Sequence, residues 1–144
     1  MHLLIWFHKY FKVKHPHEVV SMISVEIPDP ETHPVLYKLV CELIVHGPCG
    51  EMNRNTPCMK DGKCSKGFPK QFCEEITLGE DQYPKYHCHS EGRQHNVKGH
   101  MMDNTWVVPY AVLLLLRFLC HINGELTFKC EVHPVYPQVS LQGP

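Results

Sequence analysis

From His46 to about Phe72 the chain shows neither a helical nor a strand period, and Gly, Pro, Asn, Lys and Cys crowd the stretch instead. A run of that length inside a compact domain needs something to hold it. The run carries its own candidates in the spacing His46-x2-Cys49-x8-Cys58-x5-Cys64, written HGPCGEMNRNTPCMKDGKC. Zinc takes four nitrogen or sulfur ligands at tetrahedral corners, and a Gly/Pro-rich loop can wrap its backbone around such an ion. His46 and Cys49 form one close pair. Cys58 and Cys64 close a second turn, in which Gly62 is free to take a left-handed conformation. The expectation is one structural zinc on His46, Cys49, Cys58 and Cys64, with Cys73 competing with His46 for the fourth position. The spacing matches no common zinc finger, and reduced, unligated loop thiols are the competing reading.

The same loop holds a basic stripe, Lys60, Lys63, Lys66 and Lys70, with Phe68 and Phe72 between or beside the lysines. Cations suit phosphates and aromatic rings suit bases, so these six residues are the candidate nucleic-acid surface. A solvated lysine face with its phenylalanines turned to the core fits them equally. Bulk charge limits the first reading. Lys plus Arg is 14 against 15 for Asp plus Glu, a formal −1, which excludes a strongly basic nucleic-acid binder and an acidic tail protein. Any contact with single-stranded DNA is therefore expected to be local, weak and blind to sequence.

A length of 144 residues suits one ordinary domain. Its 8 Cys are too sparse for a disulfide framework, and Met1 to Lys9 lacks the basic start and cleavage site of a secretory signal. The longest apolar stretch, Trp106 to Leu116, is broken by Pro109 and falls short of the roughly 20 residues of a bilayer span. An intracellular protein with no membrane segment is expected. No Gly-x4-Gly-Lys-Ser/Thr, Gly-x-Ser-x-Gly or His-Glu-x-x-His occurs, which argues against ATP binding, serine hydrolysis and metalloprotease chemistry. No small-molecule substrate is evident.

Around the loop, His2 to Phe7 reads as a short buried strand and Ser21 to Ile27 as a second, alternating one. Val35, Leu36, Leu39, Val40, Leu43 and Ile44 mark one face of an amphipathic helix from Pro34 to about 46. Tyr86–His89 and Val97–Met101 are expected to pair as a hairpin around Ser90-Glu91-Gly92. Ala111 to His121 reads as an apolar helix stopped by Asn123-Gly124. Leu126 to Val132 alternates as a strand, and a Pro-rich tail follows from His133 to Pro144. In His87-Cys88-His89 neighbours on a strand point to opposite faces, so ordinary strand residues are favoured over a second metal site. Cys41 and Cys120 read as small buried hydrophobes. The fold expected is α+β: a small irregular domain with short antiparallel strands, two main helices and a zinc-stapled, Cys-rich loop.

Several segments occur in a telling order: HLLIWF at 2–7, VEIPDP at 25–30, HGPCG at 46–50, PCMKDGKCSKGFPKQF at 57–72, DNTWVVPY at 103–110 and HING at 121–124. The run resembles the Helitron helicase-like region of the Rep/helicase proteins of eukaryotic rolling-circle transposons, over residues 2 to about 125. What the resemblance implies is a nuclear parent protein with two activities. One is an HUH-type nuclease that nicks single-stranded DNA and keeps the 5′ end on a tyrosine; the other is a C-terminal ATP-dependent helicase. His2 falls on the second His of the family's metal-binding His-hydrophobic-His strand, and the first falls before Met1. The family's tyrosines follow a strand beginning His-Ile-Asn-Val-Glu. Here His121-Ile122-Asn123-Gly124-Glu125 departs at Gly124, and Tyr136 sits between Pro134 and Pro137, a poor setting for a helical nucleophile.

The division expected is therefore a truncated Helitron-like region over 1–132 and a tail over 133–144. Nicking needs both a metal to polarise the phosphate and a positioned nucleophile. A single remnant His2 without a usable tyrosine provides neither, so the expected function is a non-catalytic fragment with at most weak DNA binding. A host-adopted, zinc-stapled interaction module is the alternative. A nuclease completed by a second chain is the remote one.

Overall fold

Proline opens both of the first two helices among the described residues: α1 spans Pro16–Met22 and α2 spans Pro34–Leu39. A helix's first amide has no partner in a preceding turn, so proline's missing N–H costs nothing there. The computed structural model describes residues 5, 7, 8, 10, 13, 16–78, 84–86, 88 and 94–126. Ahead of α2 the Asp29 side chain accepts the Glu31 amide at 2.7 Å and its carbonyl accepts the His33 amide at 2.9 Å, which turns the chain into the helix. α2 runs on without a break into a wider π-helical turn, Val40–Ile44, closed by the Val45 amide on the Val40 carbonyl at 3.0 Å. The expected helix is thus present. Its buried line is Leu36, Val40 and Ile44, while Val35 faces outward at 65% exposure.

Among the described residues three antiparallel strand pairs follow: β1 (Met59–Lys60) with β2 (Lys63–Cys64), β3 (Thr77–Leu78) with β4 (Pro84–Lys85), and β5 (His95–Val97) with β6 (His100–Met102). A two-residue connection favours turns with both central residues at positive φ. Asp61 and Gly62 supply 49° and 75° between β1 and β2, and Lys98 and Gly99 supply 52° and 83° between β5 and β6. A 3-10 turn, Asn104–Trp106, leads to α3, Val112–Phe118. Asp103 caps that turn by accepting the Thr105 amide and hydroxyl.

The stretch from Asn104 to Tyr110 is the spine of the molecule. Tyr110 exchanges two backbone bonds with Ser24, both 2.9 Å, and its hydroxyl donates to the Glu26 carbonyl. The Asn104 side chain accepts the buried Ile27 amide at 2.9 Å. The Trp106 carbonyl takes the His46 amide, the Thr105 carbonyl takes the Lys70 amide, and the Gly124 amide reaches the Pro109 carbonyl. Apolar side chains gather on this spine: Ile27, Leu36, Val40, Ile44, Val45, Val97, Met102, Val107, Tyr110 and Leu115 form one core. The α+β class with short antiparallel strands, two apolar helices and a Cys/His loop is what the chain adopts; α1 is an additional short helix.

Several expectations are corrected. Ser21 and Met22 end α1 rather than begin a strand, and Ser24 makes only an isolated bridge. Burial does alternate there, with Ile23, Val25 and Ile27 inside, so the pattern reports a half-buried face without a strand ladder. The 97–101 segment turns back on itself across Lys98-Gly99, and of the segment expected to face it Cys88 pairs with Cys73 instead. α3 stops at Phe118 because Leu119 turns left-handed at φ 50°, before Asn123-Gly124 is reached. Of the strand expected at His2–Phe7, Ile5 and Phe7 are described and lie outside any strand. His2, Tyr136, the 133–144 tail and all but the first residue of the 126–132 segment lie outside the described residues. Among the described residues no helix is long and apolar enough to cross a membrane.

Candidate metal centre

The two halves of the Cys-rich loop meet because each is fastened separately. His46 follows directly on the helix, and its amide is held by the Trp106 carbonyl at 2.8 Å. Gly47 then turns at φ 112°, against the core: a Cβ there would lie 2.9 Å from Met102 Cε and 3.2 Å from the Trp106 ring. Only glycine fits that conformation and that approach. Cys49 comes next and is buried. The other half is the β1–β2 hairpin, which sets Cys58 just before β1 and Cys64 in β2, opposite Met59. The Ser65 amide on the Cys58 carbonyl, at 2.7 Å, closes it. The Gly50 amide donates to Met59 Sδ at 3.3 Å, tying one half to the other.

The outcome is a four-membered donor group. One ligand atom each from His46, Cys49, Cys58 and Cys64 lies within 4.8 Å of all the others. Cys64 Sγ and His46 Nε2 are 3.4 Å apart. Around a tetrahedral zinc, Zn–S near 2.3 Å and Zn–N near 2.0–2.1 Å set ligand separations of roughly 3.6–3.8 Å. The four are close enough to hold a metal ion, and of the two candidates for the fourth donor His46 is the one in the group.

The surroundings set the protonation of the donors. Burial, then the charges of Lys70, Lys66 and Lys98 and the neighbouring His121, lower the His46 pKa, which keeps the imidazole neutral and its lone pair available. Burial pushes the Cys49 thiol up to about 12, and its contacts with Cys64 and Cys58 push the same way. Burial also opposes ionisation of Cys64, but hydrogen bonds from the Phe68 and Lys66 amides, with those of Cys49 and Cys58, outweigh it and hold this thiol below its usual range. Metal binding takes thiols as thiolates, and a divalent ion would offset the cost of ionising the buried Cys49.

Beyond His46 the loop borders a groove of about 1100 Å³. The His46 ring stacks on Phe68, with centroids 4.3 Å apart and planes at 18°, and Lys70 Nζ lies 4.8 Å from the Phe68 centroid. Phe68 is therefore held between two neighbours, whereas Phe72 is 45% exposed. Lys66 and Lys70 line the groove; Lys60 and Lys63 face each other across the hairpin and do not. Lys85 and Tyr86, which the sequence reading passed over because it placed that segment in a different hairpin, line it too. Burial pushes the Tyr86 hydroxyl up to about 12, against the bond it accepts from the Leu126 amide. His121 also lines the groove, its Nδ1 donating to the Leu43 carbonyl at 2.6 Å. Among the described lining residues Glu125 is the single carboxylate, against three lysines.

The remaining cysteines divide. The Cys73 backbone pairs with that of Cys88 in an isolated antiparallel bridge, and both residues line the groove. Cys88 is buried, whereas His87 and His89 lie outside the described residues. Cys41 is half-buried beside Tyr37, its thiol raised chiefly by burial. Cys120 is exposed, which corrects its reading as a core residue: the left-handed Leu119 ends the helix before it can face inward. No known protein family has a model that matches this chain, and no curated protein matches it.

Proposed function

We propose that the chain is a zinc-stapled, non-catalytic module that holds single-stranded DNA in the groove beside the zinc, and that it derives from the Helitron helicase-like region it resembles. The observation that carries this reading is the coupling through His46, which offers Nε2 to the donor group while its ring face packs Phe68 under Lys70. A zinc there would fix the loop that presents Lys66 and Lys70. Those two lysines and Lys85 supply phosphate contacts, and the exposed Phe72 with the half-buried Tyr86 supplies stacking surface. The soft, all-protein donor set suits a structural ion, since a catalytic zinc keeps one position for water. The interaction-module reading draws on a separate feature: α3 and the turn after it leave Leu113, Leu116, Phe118 and Leu119 exposed.

Fluorescence anisotropy with a labelled oligothymidylate decides between them. Three phosphate contacts on a single strand predict roughly a twentyfold loss of affinity between ~50 and ~200 mM salt. A Lys66→Ala/Lys70→Ala variant should weaken binding severalfold, and Lys60→Ala/Lys63→Ala should matter less. The same preparation should neither hydrolyse ATP nor cleave the strand. Absence of binding at low salt would reject the groove, and covalent attachment of the chain to a labelled DNA 5′ end with Mn²⁺ would reject the non-catalytic reading.

A further inference from the structure

Cys73 and Cys88 stand directly opposite each other in an isolated antiparallel bridge. They exchange both backbone bonds, the Cys73 amide to the Cys88 carbonyl at 3.2 Å and the Cys88 amide to the Cys73 carbonyl at 2.8 Å. Residues paired in that way have Cα atoms about 5.5 Å apart and side chains on one face of the ribbon. Disulfides span Cα separations of roughly 4.4–6.8 Å, so the Cα spacing permits one once the Cβ atoms, about 5.5 Å apart in a hydrogen-bonded pair, close to about 4 Å. Both residues are free thiols, and neither belongs to the four-donor group. Each line of evidence is independent of the zinc and of DNA.

We propose that Cys73 and Cys88 form a reversible disulfide that fastens together two neighbouring segments of the groove lining. Cys73 is half-buried and Cys88 buried, so Cys73 is the thiol that meets a reagent from solution. The Cys73 sulfur donates to the Glu75 carbonyl in the reduced form, and rotation about its Cα–Cβ bond turns it toward Cys88. The oxidant is a low-molecular-weight disulfide. The Cys73 thiolate attacks one of its sulfurs, breaking that S–S bond and releasing one thiol. The Cys88 sulfur, its proton passing to solvent, then attacks the Cys73 sulfur and displaces the second thiol. Two protein thiols are oxidised and one small disulfide is reduced. Both segments line the groove, Lys70 and Phe72 just before Cys73, and Lys85 and Tyr86 just before Cys88. The bond therefore closes a loop between two segments of the groove lining and removes freedom from the unfolded chain.

The test treats the zinc-loaded full chain with oxidised glutathione, alkylates it, and maps the peptides. The expected result is a Cys73–Cys88 cross-link, an intact mass lower by two hydrogens, unchanged zinc content and a melting temperature raised by on the order of 10 °C. A Cys73→Ser variant should lose the cross-link and the shift while keeping its zinc; a Cys88→Ala variant should lose the same two. Both thiols remaining alkylatable in zinc-loaded protein would overturn the proposal. So would cross-linking of Cys73 to Cys120 in preference to Cys88, or loss of zinc from Cys73→Ser. Since none of these readouts involves DNA, they stand apart from the binding assay.

Discussion

Gly47 packs against Met102 and Trp106 at φ 112°, and it also carries the chain from the helix to Cys49. Gly99 shares the positive φ, at 83°, but a Cβ there would meet nothing within 4 Å. Comparing alanine at the two positions separates backbone strain from crowding. Gly99→Ala should cost about 1 kcal/mol and Gly47→Ala on the order of 1–3 kcal/mol more, read by urea denaturation. Equal effects would mean that the close approach to Met102 and Trp106 is unimportant. The donor residues themselves are legible in the sequence, because soft ligands at short spacing in an aperiodic loop have few other uses. The choice between His46 and Cys73 is not, since nothing in the spacing shows that Cys73 lies opposite Cys88. The role of Phe68 is equally hidden: its ring is committed to His46 rather than open to a base.

Elements divide by how their signal arises. The helix from Pro34 is legible because its apolar residues recur every three or four positions, and Leu36, Val40 and Ile44 do face the core. The segment Ile23 to Ile27 misleads because alternation reports which side chains are buried and says nothing of hydrogen-bond partners. Its partners are distant in sequence: the Asn104 side chain and Tyr110. Pairing at such separation has no local signature, so the spine from Asn104 to Tyr110 emerges only in three dimensions. Asn104→Ala would leave the buried Ile27 amide without its acceptor, at a cost of about 1–3 kcal/mol. Denaturant midpoints test this; a loss under about 0.5 kcal/mol, the usual range for a surface substitution, would mean that the spine does not depend on that bond.

At the scale of the whole molecule the described residues divide into an apolar core and a polar loop, both fastened to the 104–110 stretch. From Glu51 to Asn55 and from Lys60 to Lys63 the loop is exposed, so little apolar burial holds it. Cys49 is buried at the junction, and the donor group is the feature that gathers both halves of the loop. This explains why the fold class was legible and the loop's path was not: periodicity describes the core, whereas the loop takes its path from bonds between residues distant in sequence, such as His46 to Trp106 and Lys70 to Thr105. The claim that the donor group binds zinc is tested most directly by X-ray absorption at the zinc edge on protein purified without chelator, with metal content measured alongside. The account predicts about one zinc per chain, with three sulfurs near 2.3 Å and one nitrogen near 2.0–2.1 Å. Four sulfurs, a shell of oxygen and nitrogen alone, or protein that folds without stoichiometric zinc would contradict it.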